Sequence, residues 1–229
     1  MRYHIDTIPV WDAYKQDSEC PLCDIREHNE QMYAENFLGA SVMEPAMRME
    51  VNQKGFCKEH FAQMMQMKNP LGLSLMTHTY MQEEIKRMRM PEAAKGRGLF
   101  GKKEHAKAAQ ESCILCQRLQ DTMDRYLYTV LHLWKKEEEF ALRLQNGKGH
   151  CVAHHNMLML MAQKELSPDK ANAFCGLLLA VQRENMQRIE KELEWFTQKF
   201  DYRNTEKPWG NSKDALERAI AKLRGKQKQ

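Results

Sequence analysis

Apolar residues recur every three to four positions over most of the chain, and that period predicts helices. They are predicted over Ile25 to Leu38, Phe61 to Met67, Leu71 to Met88, Leu115 to Trp134 and Met157 to Met161. The clearest begins at Ser167-Pro168, an N-cap followed by proline at the first helical position. It runs to about Phe200, with Phe174, Leu178, Val181, Ile189, Leu193, Phe196 and Phe200 forming its apolar stripe. A helix of about 30 residues measures about 45 Å, long enough to brace the rest of the chain. A last short helix carries Leu216, Ala219, Ile220 and Leu223 at i, i+3, i+4 and i+7. The alternation a strand needs is confined to Tyr3 to Val10. The expected fold class is therefore all-α.

Superimposed on this pattern is an internal repeat. The first copy reads C-P-L-C at Cys20 and Cys23, then G-F-C-K-E-H with Cys57 and His60. The second reads C-I-L-C at Cys113 and Cys116, then G-H-C-V-A-H with Cys151 and His154. Between these pairs Tyr33 matches Tyr126 and Phe37-Leu38 matches Val130-Leu131, so two copies of one structural unit are expected. This pattern takes six of the seven cysteines. It divides the chain into a first metal-binding helical repeat (1–90), a basic linker (91–110), a second metal-binding repeat (111–166), the long bracing helix (167–205) and a basic C-terminal helix and tail (206–229).

Cysteines three apart can offer both thiolates to one ion, and Cys and His three apart in the first turn of a helix share a face. A Cys-x-x-Cys pair with a Gly-x-Cys-x-x-His turn thus supplies three sulfurs and one nitrogen, the closed tetrahedral set of structural zinc. Two zinc ions per chain are expected, held by Cys20, Cys23, Cys57, His60, Cys113, Cys116, Cys151 and His154. The register of the repeat favours pairing within a copy, while an all-cysteine site of Cys20, Cys23, Cys113 and Cys116 is the alternative; spacing alone leaves pairing within or across copies open. His150 and His155 flank the second site and could exchange with His154. An iron-sulfur cluster is the alternative cofactor, though clusters more often take four cysteines. Cys175, among Phe174, Leu177 and Leu178, reads as a core thiol.

Charge adds a second feature. The net charge of +4 conceals two basic segments, +6 over residues 86–107 and +5 over 218–229. Both read as solvated linker and removable tail, or as contact surfaces for nucleic acid or an acidic protein. Few aromatic residues interleave them, which weakens the nucleic-acid reading. Gly96-Arg97-Gly98-Leu99-Phe100-Gly101 spells a dinucleotide fingerprint, but no strand precedes it. With 42% apolar residues the 229-residue chain has the material for a sizeable core. Its longest apolar run, Ala173 to Val181, is too short to span a membrane, and no signal sequence opens it, so a cytoplasmic location is expected. No nucleophilic or di-iron constellation is visible, so catalysis is not the leading expectation; His78, Tyr80 and Glu83 are the groups an enzyme pocket would use, with His78 and His132 read as partly buried structural histidines.

The opening Tyr3-His4-Ile5-Asp6-Thr7-Ile8-Pro9-Val10-Trp11-Asp12-Ala13-Tyr14, the paired cysteine and histidine motifs, and the closing Trp195-Phe196-x-x-Lys199-Phe200-Asp201-Tyr202-Arg203-Asn204 resemble an uncharacterised bacterial family, a domain of unknown function. The resemblance covers nearly the whole chain. It implies a soluble bacterial protein with the same eight ligands and supplies no reaction. The function expected is a binding or adaptor module with an unidentified protein partner, and the rival is an iron-sulfur or thiol redox protein.

Overall fold

The computed structural model describes residues 3–88 and 113–226. The basic linker at 91–110 and the glycine run Gly96 to Gly101 lie outside the described residues. Among those described there are ten α-helices and no strand. In order they are α1 (Tyr3–Lys15), α2 (Pro21–Leu38), α3 (Pro45–Lys54), α4 (Lys58–Gln66), α5 (Pro70–Arg87), α6 (Ile114–Lys136), α7 (Glu138–Gln145), α8 (Val152–Glu165), α9 (Pro168–Gln198) and α10 (Ala215–Arg224). Short 3-10 turns occupy Ala40–Met43, Tyr202–Asn204 and Gly210–Ser212. Four of the helices open on proline, at Pro21, Pro45, Pro70 and Pro168, where the missing N–H is harmless and the fixed φ suits the helix.

The segment Tyr3 to Val10 is helix, not strand. Its continuation buries Val10, Ala13 and Tyr14, at i, i+3 and i+4, a face only a helix can present. The long helix begins where the sequence places it. Ser167 occupies the N-cap position, although its side chain makes no capping bond. It ends earlier than its stripe suggests, at Gln198, and leaves Phe200 76% exposed. The cause is Lys199, whose buried ammonium donates to the carbonyls of Asn204 (2.6 Å), Thr205 (2.8 Å) and Lys207 (2.6 Å) and draws the chain into a turn.

Two compact units result, one of residues 1–27 with 123–229 and the other of residues 28–122. The chain passes from the first to the second within α2 and returns within α6. The second unit is built on Ala34, Phe37, Leu38, Val42, Val51, Phe56, Met64, Leu73 and Met76, with Cys113, Ile114 and Leu115 closing the cluster. Phe56 meets Phe37 and Phe61 edge to face at 5.3 and 5.5 Å. Each fully buried Phe or Met side chain here contributes roughly 1.5–3 kcal/mol of transfer free energy.

In the first unit α9 packs on α7, α8 and α10. Phe174 is wholly buried beneath Trp134, with ring centroids 4.9 Å apart. Phe140 is likewise buried between Trp11 and Tyr14. The last helix belongs to this core. Lys222 is 1% exposed, and its ammonium donates to the carbonyl of Glu19 (2.7 Å) and that of Lys148, and pairs with the Glu19 carboxylate (3.2 Å). Arg188 grips the same carboxylate at 2.7 and 2.8 Å. Arg218 pairs with Glu192 and Asp214. Lys226 reaches Asp24 and Glu27. What reads as a charged, removable tail is therefore, over its described residues, a keyed helix in which Arg218, Lys222 and the following Lys226 face acids of their own unit.

Candidate metal centres

Two groups of four donors come together, Cys20, Cys23, Cys151 and His154 in the first unit, and Cys57, His60, Cys113 and Cys116 in the second. Each could hold a metal ion. All eight residues singled out by the sequence are present, and each group joins the Cys-x-x-Cys pair of one copy to the Cys-x-x-His pair of the other. Of the pairings that spacing leaves open, the structure has the one that crosses the copies.

One local device builds all four pairs. Cys20, Cys57, Cys113 and Cys151 each stand immediately before a helix, and Cys23, His60, Cys116 and His154 follow three residues on, in its first turn. Each site is thus formed where two helix N-termini meet, α2 with α8 and α4 with α6. First-turn amides are unsatisfied by the helix itself, and their positive end favours thiolate. The N–H of His154 points to Cys151 Sγ at 3.5 Å and that of Cys116 to Cys113 Sγ at 3.4 Å.

The two Gly-x-Cys turns need their glycines. Gly55 has φ of 63° and Gly149 of 77°, in the left-handed region. A Cβ on Gly55 would lie 2.5 Å from the Tyr80 ring, and one on Gly149 2.8 Å from Gln182 Oε1. That same Gln182 clamps the turn by accepting from the His150 N–H (3.0 Å) and donating to its carbonyl (2.9 Å).

The donor spacing suits one tetrahedral ion. With metal–sulfur bonds of about 2.3 Å and metal–nitrogen of about 2.05 Å, a regular tetrahedron separates two sulfurs by about 3.8 Å and sulfur from nitrogen by about 3.6 Å. In the first unit Nδ1 of His154 lies 3.4 Å from each of Cys20, Cys23 and Cys151, and Cys23 lies 3.6 Å from Cys151. In the second, Nδ1 of His60 lies 3.1, 3.3 and 3.3 Å from Cys57, Cys113 and Cys116, and Cys57 lies 3.8 Å from Cys116. No disulfide forms among them.

Electrostatics point the same way. Burial and hydrogen bonds with Cys151 and Cys23 push the Cys20 thiol far up, whereas Cys151, hydrogen-bonded with Cys20 and Cys23, is held far down. Burial opposes charge on His154, yet its bonds to Cys151 and Cys23 raise it to about 9. In the second unit burial is again outweighed, and bonds to Cys113 and Glu30 raise His60 to about 10. Cys113 falls to about 6, where burial is overcome by His60, and burial with the neighbouring Cys113 lifts Cys116 to about 12. In each group one thiol, Cys151 or Cys113, is thus lowered beside a raised histidine. A divalent cation lets all three thiolates form together.

His60 is oriented from behind. Its Nε2–H donates to the buried Glu30 carboxylate at 2.7 Å, which orients the ring with Nδ1 towards the sulfurs and would fix the tautomer once an ion takes the place of the Nδ1 proton. Sequence spacing gives no sign of this contact, because Glu30 lies mid-helix in α2. His150 does not take the place of His154. Its Nε2 meets the Tyr14 hydroxyl at 2.7 Å, and burial with nearby Lys222 lowers it to about 3. His155 is buried, and its Nδ1 has no hydrogen-bond partner among the described residues. Cys175 is half-buried and apart from both groups.

The groups proposed for an enzyme pocket do not converge. His78 is exposed, Glu83 pairs with Lys86 at 2.7 Å, and Tyr80 covers Gly55, about 200° round α5 from His78. No helix among the described residues is long and apolar enough to cross a membrane. Neither curated proteins nor solved structures yield a significant match to the chain. The sequence does match one family from its first residue to its last: over residues 1–229, with its two Cys3His groups, the chain belongs to the family of unknown function DUF6062.

Proposed function

We propose that this is a cytoplasmic bacterial binding or adaptor protein whose two units are each closed by one structural zinc ion. The observation that carries this reading is the donor spacing. In both groups four donor atoms lie within 4.8 Å of one another, as ligands of one ion would. An iron-sulfur cluster instead spreads its protein ligands over two or more irons. Three thiolates and one imidazole suit zinc, and with four protein ligands no coordination position stays open for substrate. The binding energy of the ion then contributes to folding rather than to a reaction.

A protein partner is favoured by the surface of α5. Leu71 (70% exposed), Met81 (58%) and Ile85 (61%) lie within an arc of about 80° on that helix, and Met88 (76%) follows at its C-cap. Methionine-rich apolar faces of this kind adapt to varied partners. Arg218 and Lys222 of the last helix and Lys226 just beyond it lend little to a nucleic-acid reading, since they face Glu192, Glu19 and Asp24; that reading rests on the basic linker.

The test is metal content per chain, with an absorption spectrum, on protein purified without added metal and without air. Two zinc ions and a colourless sample are expected. Iron with a brown chromophore would replace this reading with the iron-sulfur or thiol redox one.

A further inference from the structure

The two groups share a donor set but differ in access. In the first unit all four ligands are buried. The end of α10 closes over them, so that a Cβ placed on Gly225 would sit 3.6 Å from Cys23 Sγ and 4.0 Å from Cys151 Sγ. In the second unit His60 and Cys113 are buried, Cys57 is half-buried and Cys116 is exposed. The two accessible sulfurs are also neighbours, Cys57 Sγ and Cys116 Sγ lying 3.8 Å apart.

We propose, on the basis of the zinc reading above, that Cys57 and Cys116 form a modification site for hydroperoxides, at which oxidation links them and releases the second unit's ion. Metal ligation keeps both sulfurs as thiolates, the nucleophilic form, and exposure selects which of them a small oxidant reaches. Cys116 sulfur attacks one peroxide oxygen, forming an S–O bond, breaking the O–O bond and expelling hydroxide. Cys57 thiolate then attacks that sulfur, forming the S–S bond and expelling the second hydroxide. Two protons from the buffer acid convert the two hydroxides to water. In sum, two thiolates, one hydrogen peroxide and two protons give one disulfide and two waters, the sulfur pair losing two electrons and the peroxide gaining them. The sulfurs need approach by only about 1.8 Å to reach disulfide length. Cys113 and His60 are two donors where four stood, too few to retain zinc against solvent. The first unit, whose ligands have the same chemistry beneath α10, serves as the internal control.

The experiment uses the full zinc-loaded chain, its zinc content measured beforehand, treated with hydrogen peroxide in the presence of a chromogenic chelator. The disulfides are then mapped by mass spectrometry of peptides. Release of one of two zinc ions, with Cys57 joined to Cys116 and reversal by dithiothreitol plus zinc, is expected. Release of both ions together, a disulfide within the first unit, or retention of both ions under peroxide that oxidises a free cysteine peptide would overturn the proposal and leave the structural zinc reading standing. A chain that carries no zinc before treatment would remove both.

Discussion

Replacement of Lys222 by methionine tests whether the last helix is part of the folded core. The side chain is 1% exposed, and its ammonium is held by the Glu19 and Lys148 carbonyls and by the Glu19 carboxylate. Methionine keeps most of the volume and removes all three donors. A hydrogen bond to a charged group contributes about 1.5–3 kcal/mol, and removing one partner of a buried pair costs about 3–5 kcal/mol. Arg188 still holds Glu19 at 2.7 and 2.8 Å, so the lower part of that range applies, about 3–4 kcal/mol. For a chain of this size the midpoint of thermal unfolding should then fall by about 10 °C. Urea and thermal unfolding of the zinc-loaded protein read this out, with exposed Arg224→Met as a control expected to stay within about 0.5 kcal/mol. If Lys222→Met unfolded within about 1 kcal/mol of the native chain, the helix would be a dispensable tail after all.

Glu30→Gln keeps an acceptor for His60 but removes its charge, so zinc affinity of the second unit should fall about tenfold while that of the first holds; chelator competition measures both, and equal loss at the two sites would refute the role given to Glu30. Gly149→Ala forces a side chain into the left-handed region and against Gln182, at a cost of about 2 kcal/mol in urea unfolding. The opposite sign is expected for Gly176→Ala, which meets nothing within 4 Å on the exposed side of α9 and should stabilise by about 0.5–1 kcal/mol. Phe37→Ala empties the centre of the second unit's core and should cost about 3–5 kcal/mol, and a loss below about 1 kcal/mol would show that core to be loosely packed.

Local pattern carried most of the helices, because each long one buries a stripe at helical spacing. It missed α3, where Val51 is the sole buried residue, and α7, whose Phe140 and Leu144 span only two turns. Tyr3 to Val10 misled because β-branched and aromatic residues alternate there, while the face that decides the matter continues to Tyr14. The eight donors were legible from motif spacing, since each pair is a local device at one helix start. Their grouping was not. A repeat shows which residues are equivalent, not which meet. Chain distance discriminates weakly as well, because a fourfold longer loop costs only about 1.2 kcal/mol more to close. Cys23 therefore meets Cys151 across 128 residues rather than Cys57 nearby. Lys222 was hidden for a similar reason, its partner Glu19 lying 203 residues away.

Zinc content of paired alanine variants tests the crossed sites most directly. Cys20→Ala with Cys151→Ala strikes one group, whereas Cys20→Ala with Cys57→Ala strikes both. The first pair should retain one zinc ion per chain and the second pair none. The reverse result, one ion retained by Cys20→Ala with Cys57→Ala and none by Cys20→Ala with Cys151→Ala, would place each ion within a single copy and contradict the arrangement described above.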